Sequence, residues 1–92
     1  MSRPTNIIFI GKKPIMTYVN ATLTLLSNEP TVTIKARGRN ITIAVDVSQM
    51  IVKRMNAVGY RVSSVRIFSE RMTSQDGKER NVSVMEIDVS RT

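Results

Sequence analysis

The sequence predicts an α/β domain whose elements follow the order βαβαββ. In two segments the apolar residues recur at helical spacing. In four others they form a short run or alternate with a period of two, as in strands. With 92 residues, of which 41% are hydrophobic, the chain can bury one modest core. No linker or low-complexity segment interrupts the pattern, so we expect a single domain over residues 1–92.

The first half of the chain predicts a strand, a helix and a second strand. The run NIIFI, Asn6–Ile10, is apolar and closed by Gly11, as in a buried strand. Pro14 suits the first turn of a helix, and Asn28 is placed to end it. The stretch TVTIKA, Thr31–Ala36, alternates as a second strand.

A second helix and two further strands complete the order. We expect this helix to begin at about Arg39–Asn40 and to run to about Val58, where Gly59 stops it. A period of two then returns, and the apolar residues that share a face are Val65 and Ile67 in the third strand and Met85, Ile87 and Val89 in the fourth.

Two local signals refine the final pair of strands. Val62 is out of phase with Val65, which predicts a bulge near Ser63–Ser64. Asp76-Gly77 predicts the turn that joins the strands. The pair should therefore form a hairpin with one irregular strand.

The composition excludes several kinds of site. The chain has no Cys and no His, which removes disulfides, thiolate zinc sites and the usual proton shuttle near neutral pH. No apolar run approaches the roughly 18 residues of a membrane span, so we expect a cytoplasmic protein. The net charge of +7 favours a polyanionic partner such as nucleic acid.

Positive charge is concentrated where strands lead into helices. GKKP follows the first strand and ARGRN follows the second. If these strands are parallel neighbours with a right-handed crossover, both joints open on one edge of the sheet, the usual ligand side. A helix N-terminus with free N–H groups suits phosphate. We therefore expect a phosphate-binding surface built by Lys12, Lys13, Arg37 and Arg39, with Gly11 and Gly38 allowing close backbone approach.

A solvated loop would explain either pair of cations alone. Cations near a helix N-terminus oppose the helix dipole, at a cost of some tenths of a kcal/mol each. Two joints repeat that unfavourable arrangement, which favours a functional role for the cations.

The polar arm between the last two strands adds Arg71, Lys78 and Arg80, which we expect to follow the minor groove of a duplex. A solvated hairpin tip is the alternative. None of the four aromatic residues lies in the basic loops, which disfavours base stacking.

The second helix carries more apolar surface than contact with a sheet requires. An ordinary surface helix has a narrower apolar stripe. We assign the excess to a homodimer interface formed by Ile43, Val47, Met50 and Met55. A two-fold dimer would double the basic edge.

Glu86 and Asp88 are the best candidates for an enzymatic site. Two positions apart on a strand, they share a face, an arrangement that metal-binding carboxylates can use. The solvated outer face of a strand is the alternative, and no histidine can join them. A metal-dependent nuclease is therefore only a remote alternative.

Three segments together resemble a known family. IGKKPIMTYV, IKARGRNITIAVD and TSQDGKERNVSVMEI, in this order, are similar to the Alba family of small basic archaeal chromatin proteins, and the resemblance spans about Asn6 to Val89. It implies an α+β two-layer sandwich with a mixed four-stranded sheet and two helices on one face, like the C-terminal domain of bacterial translation initiation factor three. It also implies a homodimer that binds double-stranded DNA, and often RNA, with little sequence preference.

The resemblance also assigns residues. It implies nucleic-acid contacts by Lys12 and Lys13 and by the arginines around Gly38, and makes Lys12 the candidate for lysine modification such as acetylation. Many members have Arg where this chain has Asn81, with Arg80 one place earlier. Many have Phe where Met55 stands, which bears on association between dimers.

These observations predict a non-enzymatic, chromosome-associated protein that coats or compacts duplex DNA through phosphate contacts, without cofactor or metal. An RNA-binding protein, either a ribonucleoprotein subunit or an RNA chaperone, is the alternative on the same surface.

Overall fold

The computed structural model describes residues 6–54 and 59–91. Its elements are β1 (Ile7–Phe9), α1 (Ile15–Leu26), β2 (Thr31–Arg37), a 3₁₀ turn (Gly38–Asn40), α2 (Ile41–Arg54), β3 (Tyr60–Thr73) and β4 (Glu79–Arg91). The predicted order βαβαββ is confirmed.

The second helix differs from its prediction at its start. The residues expected to open it form the 3₁₀ turn, and α2 begins at Ile41. Gly38 opens that turn with a φ of 56°, in the left-handed region that glycine adopts without strain. The predicted helix end at Val58 lies outside the described residues.

The four strands form one mixed sheet in the order β1-β2-β4-β3. β1 pairs with β2 in parallel, and β4 pairs antiparallel with both β2 and β3. A register shift between Val62 and Ser64 confirms the predicted bulge. Hydrogen bonds between Ser74 and Lys78 and between Gly77 and Ser74 close the turn around Asp76-Gly77.

Both described helices pack on the same face of the sheet, so the fold has two layers. The sheet contributes apolar residues from its central strands, such as Ile34, which pairs with Ile87. The buried core on this side includes Val19 and Leu26 from α1, Ala44, Val47 and Ile51 from α2, and Val32, Ile34, Ala36, Ile87 and Val89 from the sheet. The opposite side is the helix-free face.

Candidate nucleic-acid interface

The two loops that follow β1 and β2 lie side by side at one edge of the sheet. The parallel register pairs Ile8 with Ile34 and Phe9 with Lys35, so both strands end at the same edge of the sheet, β2 two residues further along. Asn40, in the second loop, donates a hydrogen bond from Nδ2 to the carbonyl of Ile10 at 3.3 Å, directly before the first loop. The prediction that these loops share an edge is confirmed.

A buried tyrosine shapes the first loop. The Tyr18 hydroxyl accepts hydrogen bonds from the backbone N–H groups of Gly11, at 2.8 Å, and Lys13, at 2.9 Å. A Cβ at position 11 would lie 3.2 Å from this hydroxyl, a tight contact that favours glycine there. Lys12 and Lys13 are exposed, and neither forms a salt bridge with a described residue.

The second loop presents its two arginines differently. Arg39 is exposed and forms no salt bridge within residues 6–54 and 59–91. Arg37 donates from Nε to Oε2 of Glu70 at 3.0 Å. Sequence reasoning missed Glu70, because it lies 33 positions away on another strand and carries no local signal.

The β3–β4 arm leaves the sheet at the same edge. The last residue pair between β2 and β4 is Arg37 with Val84, whereas β3 and β4 continue to pair as far as Thr73 and Glu79. The arm therefore extends beyond the ends of β1 and β2, from which the two loops begin. All three segments named from the sequence as basic meet at this edge of the sheet, which we call the basic edge: residues 11–13, residues 37–39 and the arm from 71 to 80.

The two arm arginines lie on opposite faces of the ribbon. Arg71 pairs with Asn81, and Arg80 pairs with Met72, one residue out of step. Arg71 also forms an exposed salt bridge with Glu79, with 3.4 Å between Nη1 and Oε2. Lys78 is exposed beside the turn. Arg71 and Arg80 therefore cannot both contact a nucleic-acid backbone that lies against one face of the arm.

Hydrogen bonds within the turn hold Asp76 ionised. The Ser74 hydroxyl and, second, the backbone N–H of Lys78 donate to its carboxylate and lower its pKa. The tip of the arm therefore carries one acidic group next to Lys78.

A model of the Alba family matches residues 6–69. The chain belongs to the Alba family. It is 54% identical over 84 residues to the DNA/RNA-binding protein Alba of Nitrosopumilus maritimus (strain SCM1), covering 91% of this chain and 88% of that protein.

Solved structures of the family share the fold. Alba from Thermoplasma volcanium superposes with a TM-score of 0.85 at 39% identity, covering 94% of this chain and 100% of that one. ALBA1 from Trypanosoma brucei gives a TM-score of 0.74 at 26% identity, covering 99% of this chain and 73% of that one. The two-layer α+β fold expected for an Alba chain is confirmed.

The two carboxylates considered for metal binding, Glu86 and Asp88, form salt bridges in this Alba chain. Arg66 donates from Nε to Glu86 and from Nη1 and Nη2 to the two oxygens of Asp88, each at 2.9 Å. The Thr33 hydroxyl also donates to Asp88, at 2.7 Å, and Lys35 Nζ lies 3.2 Å from Glu86. Arg66 is the main cause of the lowered pKa of both carboxyl groups. Within the described residues, no cluster of three or more acids, histidines or cysteines could hold a metal ion.

The homodimer interface predicted for this Alba chain requires correction. Val47 is fully buried in its own core, so its assignment to a subunit interface is wrong. Ile43 and Met50 pack against the core and are only partly exposed, and Met55 lies outside the described residues. Apolar side chains are instead exposed on neighbouring positions, at Val45 of α2 and at Val65 and Ile67 of β3.

Within the described residues, no helix has the length and apolar character needed to cross a membrane.

Proposed function

We propose that this chain is a chromosome-associated protein that coats duplex DNA by binding its phosphates, with little preference for sequence and without catalysis. The observation that carries the proposal is the basic edge, where Lys12, Lys13 and Arg39 are exposed and free of salt bridges to described residues. The Nitrosopumilus relative is named for binding DNA and RNA, which supports the same class of ligand here.

The geometry of the loops suits phosphate better than bases. Each loop feeds a helix whose first turn contains no acidic residue, so the partial positive charge of the helix N-terminus adds to that of the cations. The one amide side chain in these loops, Asn40, donates to the Ile10 carbonyl rather than pointing to a ligand. Phosphate contacts give affinity without base readout, which accounts for weak sequence preference.

The arm extends this surface. It projects past the ends of β1 and β2 and carries Arg71, Lys78 and Arg80, and its two-stranded shape suits a groove of the duplex. Since Arg71 and Arg80 lie on opposite faces, we assign the groove contact to one of them together with Lys78. The loops then hold the phosphates on either side.

A homodimer would place two basic edges on one duplex. Val65 is 52% exposed and Ile67 is 73% exposed on the helix side of the edge strand β3, and Val45 is exposed nearby on α2. Ile41 and Ile67 line one open groove between α2 and β3. We assign this apolar surface to a second copy of the chain. Ile67→Asp should yield a monomer by native mass measurement, whereas Met16→Asp, at an exposed site on α1, should leave the dimer intact.

Binding measured over a salt series tests the proposal. Log affinity should fall steeply and linearly with log salt, by roughly 0.9 for each phosphate contacted on duplex DNA. Two duplexes of unrelated sequence should give the same affinity and the same slope. A flat salt dependence, or a strong preference for one sequence, would contradict phosphate-driven binding.

RNA binding is the second candidate, because the relative's name covers both nucleic acids and phosphates are common to both. Competition between matched DNA and RNA duplexes decides which is preferred.

A metal-dependent nuclease is disfavoured, because Arg66, Lys35 and Thr33 occupy the oxygens of Glu86 and Asp88. Labelled duplex incubated with the protein and magnesium or manganese should stay intact.

A further inference from the structure

Arg37 is set apart from the other cations of the two basic loops, Lys12, Lys13 and Arg39, by its salt bridge with Glu70. Its Nε donates to Oε2 of Glu70 at 3.0 Å, while its side chain stays 39% exposed. A guanidinium has five N–H donors, and those on the two Nη atoms match the oxygens of a phosphate in pairs. The contact with Glu70 therefore engages one donor of Arg37, and no other hydrogen bond or salt bridge within residues 6–54 and 59–91 engages its two Nη groups.

Glu70 is itself held from its other side. Its Oε1 lies 3.9 Å from Lys35 Nζ, and Lys35 Nζ lies 3.2 Å from Oε2 of Glu86. The same ammonium sits 5.8 Å from the centre of the Phe68 ring. Lys35 therefore attracts Oε1 of Glu70 electrostatically, while the hydrogen bond to Oε2 orients the Arg37 guanidinium.

We propose that Glu70 is a positioning residue that pre-orients Arg37 for a backbone phosphate, an inference that rests on the proposed function. A free arginine loses side-chain entropy when a ligand immobilises it, whereas an arginine already held loses less. Glu70 thus improves polyanion binding although it carries a negative charge.

The same contact joins the second loop to the arm. Glu70 lies at the base of the arm, directly before Arg71, and pairs across the ribbon with Val82. Val82 is also the side chain nearest to Gly38, 4.0 Å from where a Cβ would stand. The Arg37–Glu70 pair therefore sets the loop and the arm in one arrangement before ligand binds.

A purely electrostatic role and a positioning role for Glu70 predict opposite effects of removing it. Removing an acid should strengthen binding to a polyanion if Glu70 acts only through its field. Glu29→Ala, before the start of β2 and far from Arg37, serves as the control of equal change in net charge. Affinity for one DNA duplex is measured by fluorescence anisotropy over a salt series for the wild type and each variant.

We expect Glu70→Ala to bind about three- to tenfold more weakly than the Glu29→Ala control, because the hydrogen bond to a charged group is lost. Its salt slope should fall by up to about one contact. Glu70→Gln keeps an oxygen acceptor and should bind at least as well as the wild type. In an Arg37→Ala background, Glu70→Ala should have no effect beyond that of the control.

Two results would overturn the inference: Glu70→Ala binding as tightly as the control, or an equal loss when Arg37 is already absent. Thermal unfolding of each variant identifies any loss caused by a misfolded arm, and a loss confined to such a variant also counts against the inference. If the wild type itself shows no salt-dependent binding, the proposed function fails instead, so the two failures are distinguishable.

Discussion

The basic edge and the helix-free face use the same residue types to different ends. On the helix-free face, Arg66 lies between Glu86 and Asp88, and Lys35 lies between Glu70 and Glu86. At the basic edge, Lys12, Lys13 and Arg39 have no such partners among the described residues. The comparison indicates that a cation is available to a polyanion through the N–H donors that no acid engages: Arg66 has all three nitrogens engaged, whereas Arg37 uses only Nε for Glu70.

Arg37 stands between the two regions. It belongs by position to the basic edge and by its salt bridge with Glu70 to the network on the helix-free face. The boundary between the regions therefore runs through one side chain. Variants that change charge in one region and not in the other test whether the two regions have separate roles.

The largest effect is expected from reversing charge in the lysine loop. Lys12→Glu with Lys13→Glu should weaken duplex binding about 100-fold at low salt, because two phosphate contacts become repulsive. All duplex sequences should be affected alike. Anisotropy measures the affinity, and Lys53→Glu with Arg54→Glu, exposed in the last turn of α2, is the control of equal charge change. An equal loss in that control would mean that net charge alone drives binding.

A smaller effect is expected from loosening the same loop without changing its charge. Tyr18→Phe leaves the N–H groups of Gly11 and Lys13 without their acceptor, so we expect a stability loss of about 1 kcal/mol. Affinity should fall several-fold because Lys12 and Lys13 are no longer held in place. Tyr60→Phe removes a hydroxyl from the other buried tyrosine and should leave affinity unchanged. Unaltered binding by Tyr18→Phe would show that the loop needs no such anchor.

The salt bridges on the helix-free face should stabilise the fold at neutral pH and lose this effect at acidic pH. Contacts with Arg66 lower the folded-state pKa of Glu86 and Asp88 below the value of about 4 expected when unfolded. Their stabilisation is therefore fully present above that value and is lost as the pH falls through the folded-state pKa. Asp88→Asn should cost about 1 kcal/mol at neutral pH, a modest figure because Arg66 is partly exposed, and this difference should shrink in acid. Denaturant unfolding between neutral pH and about pH 2 checks this, and a constant difference would contradict it.

Much of the fold could be predicted because its signals are local. Periodicity placed the strands and helices, Asp76-Gly77 marked the turn, and the phase of Val62 against Val65 revealed the bulge. The parallel pairing of β1 with β2, expected for a strand–helix–strand unit, then placed the two loops at one edge. These inferences need only neighbouring residues and a general rule of topology.

The rest depended on contacts between distant residues. The Arg37–Glu70 salt bridge joins positions 33 apart, and no local pattern indicates it. The choice between Val45 and Val47 as the exposed position of α2 depends on how the helix is rotated against the sheet. Both are valines on an apolar helix, so the sequence alone favoured the wrong one. The hydrogen bonds from Gly11 and Lys13 to the Tyr18 hydroxyl likewise depend on the folded position of the loop, which no sequence pattern indicates.

The most direct test compares Arg39→Ala, which removes an arginine from the basic edge, with Arg66→Ala, which removes one from the helix-free face. Both variants lose one charge, and each is measured for duplex affinity over a salt series and for its unfolding midpoint. Arg39→Ala should weaken binding about three- to tenfold and reduce the salt slope by about one, with an unchanged midpoint. Arg66→Ala should lower the midpoint by several degrees while keeping affinity within about twofold of the wild type. Equal losses of affinity in the two variants would contradict the account.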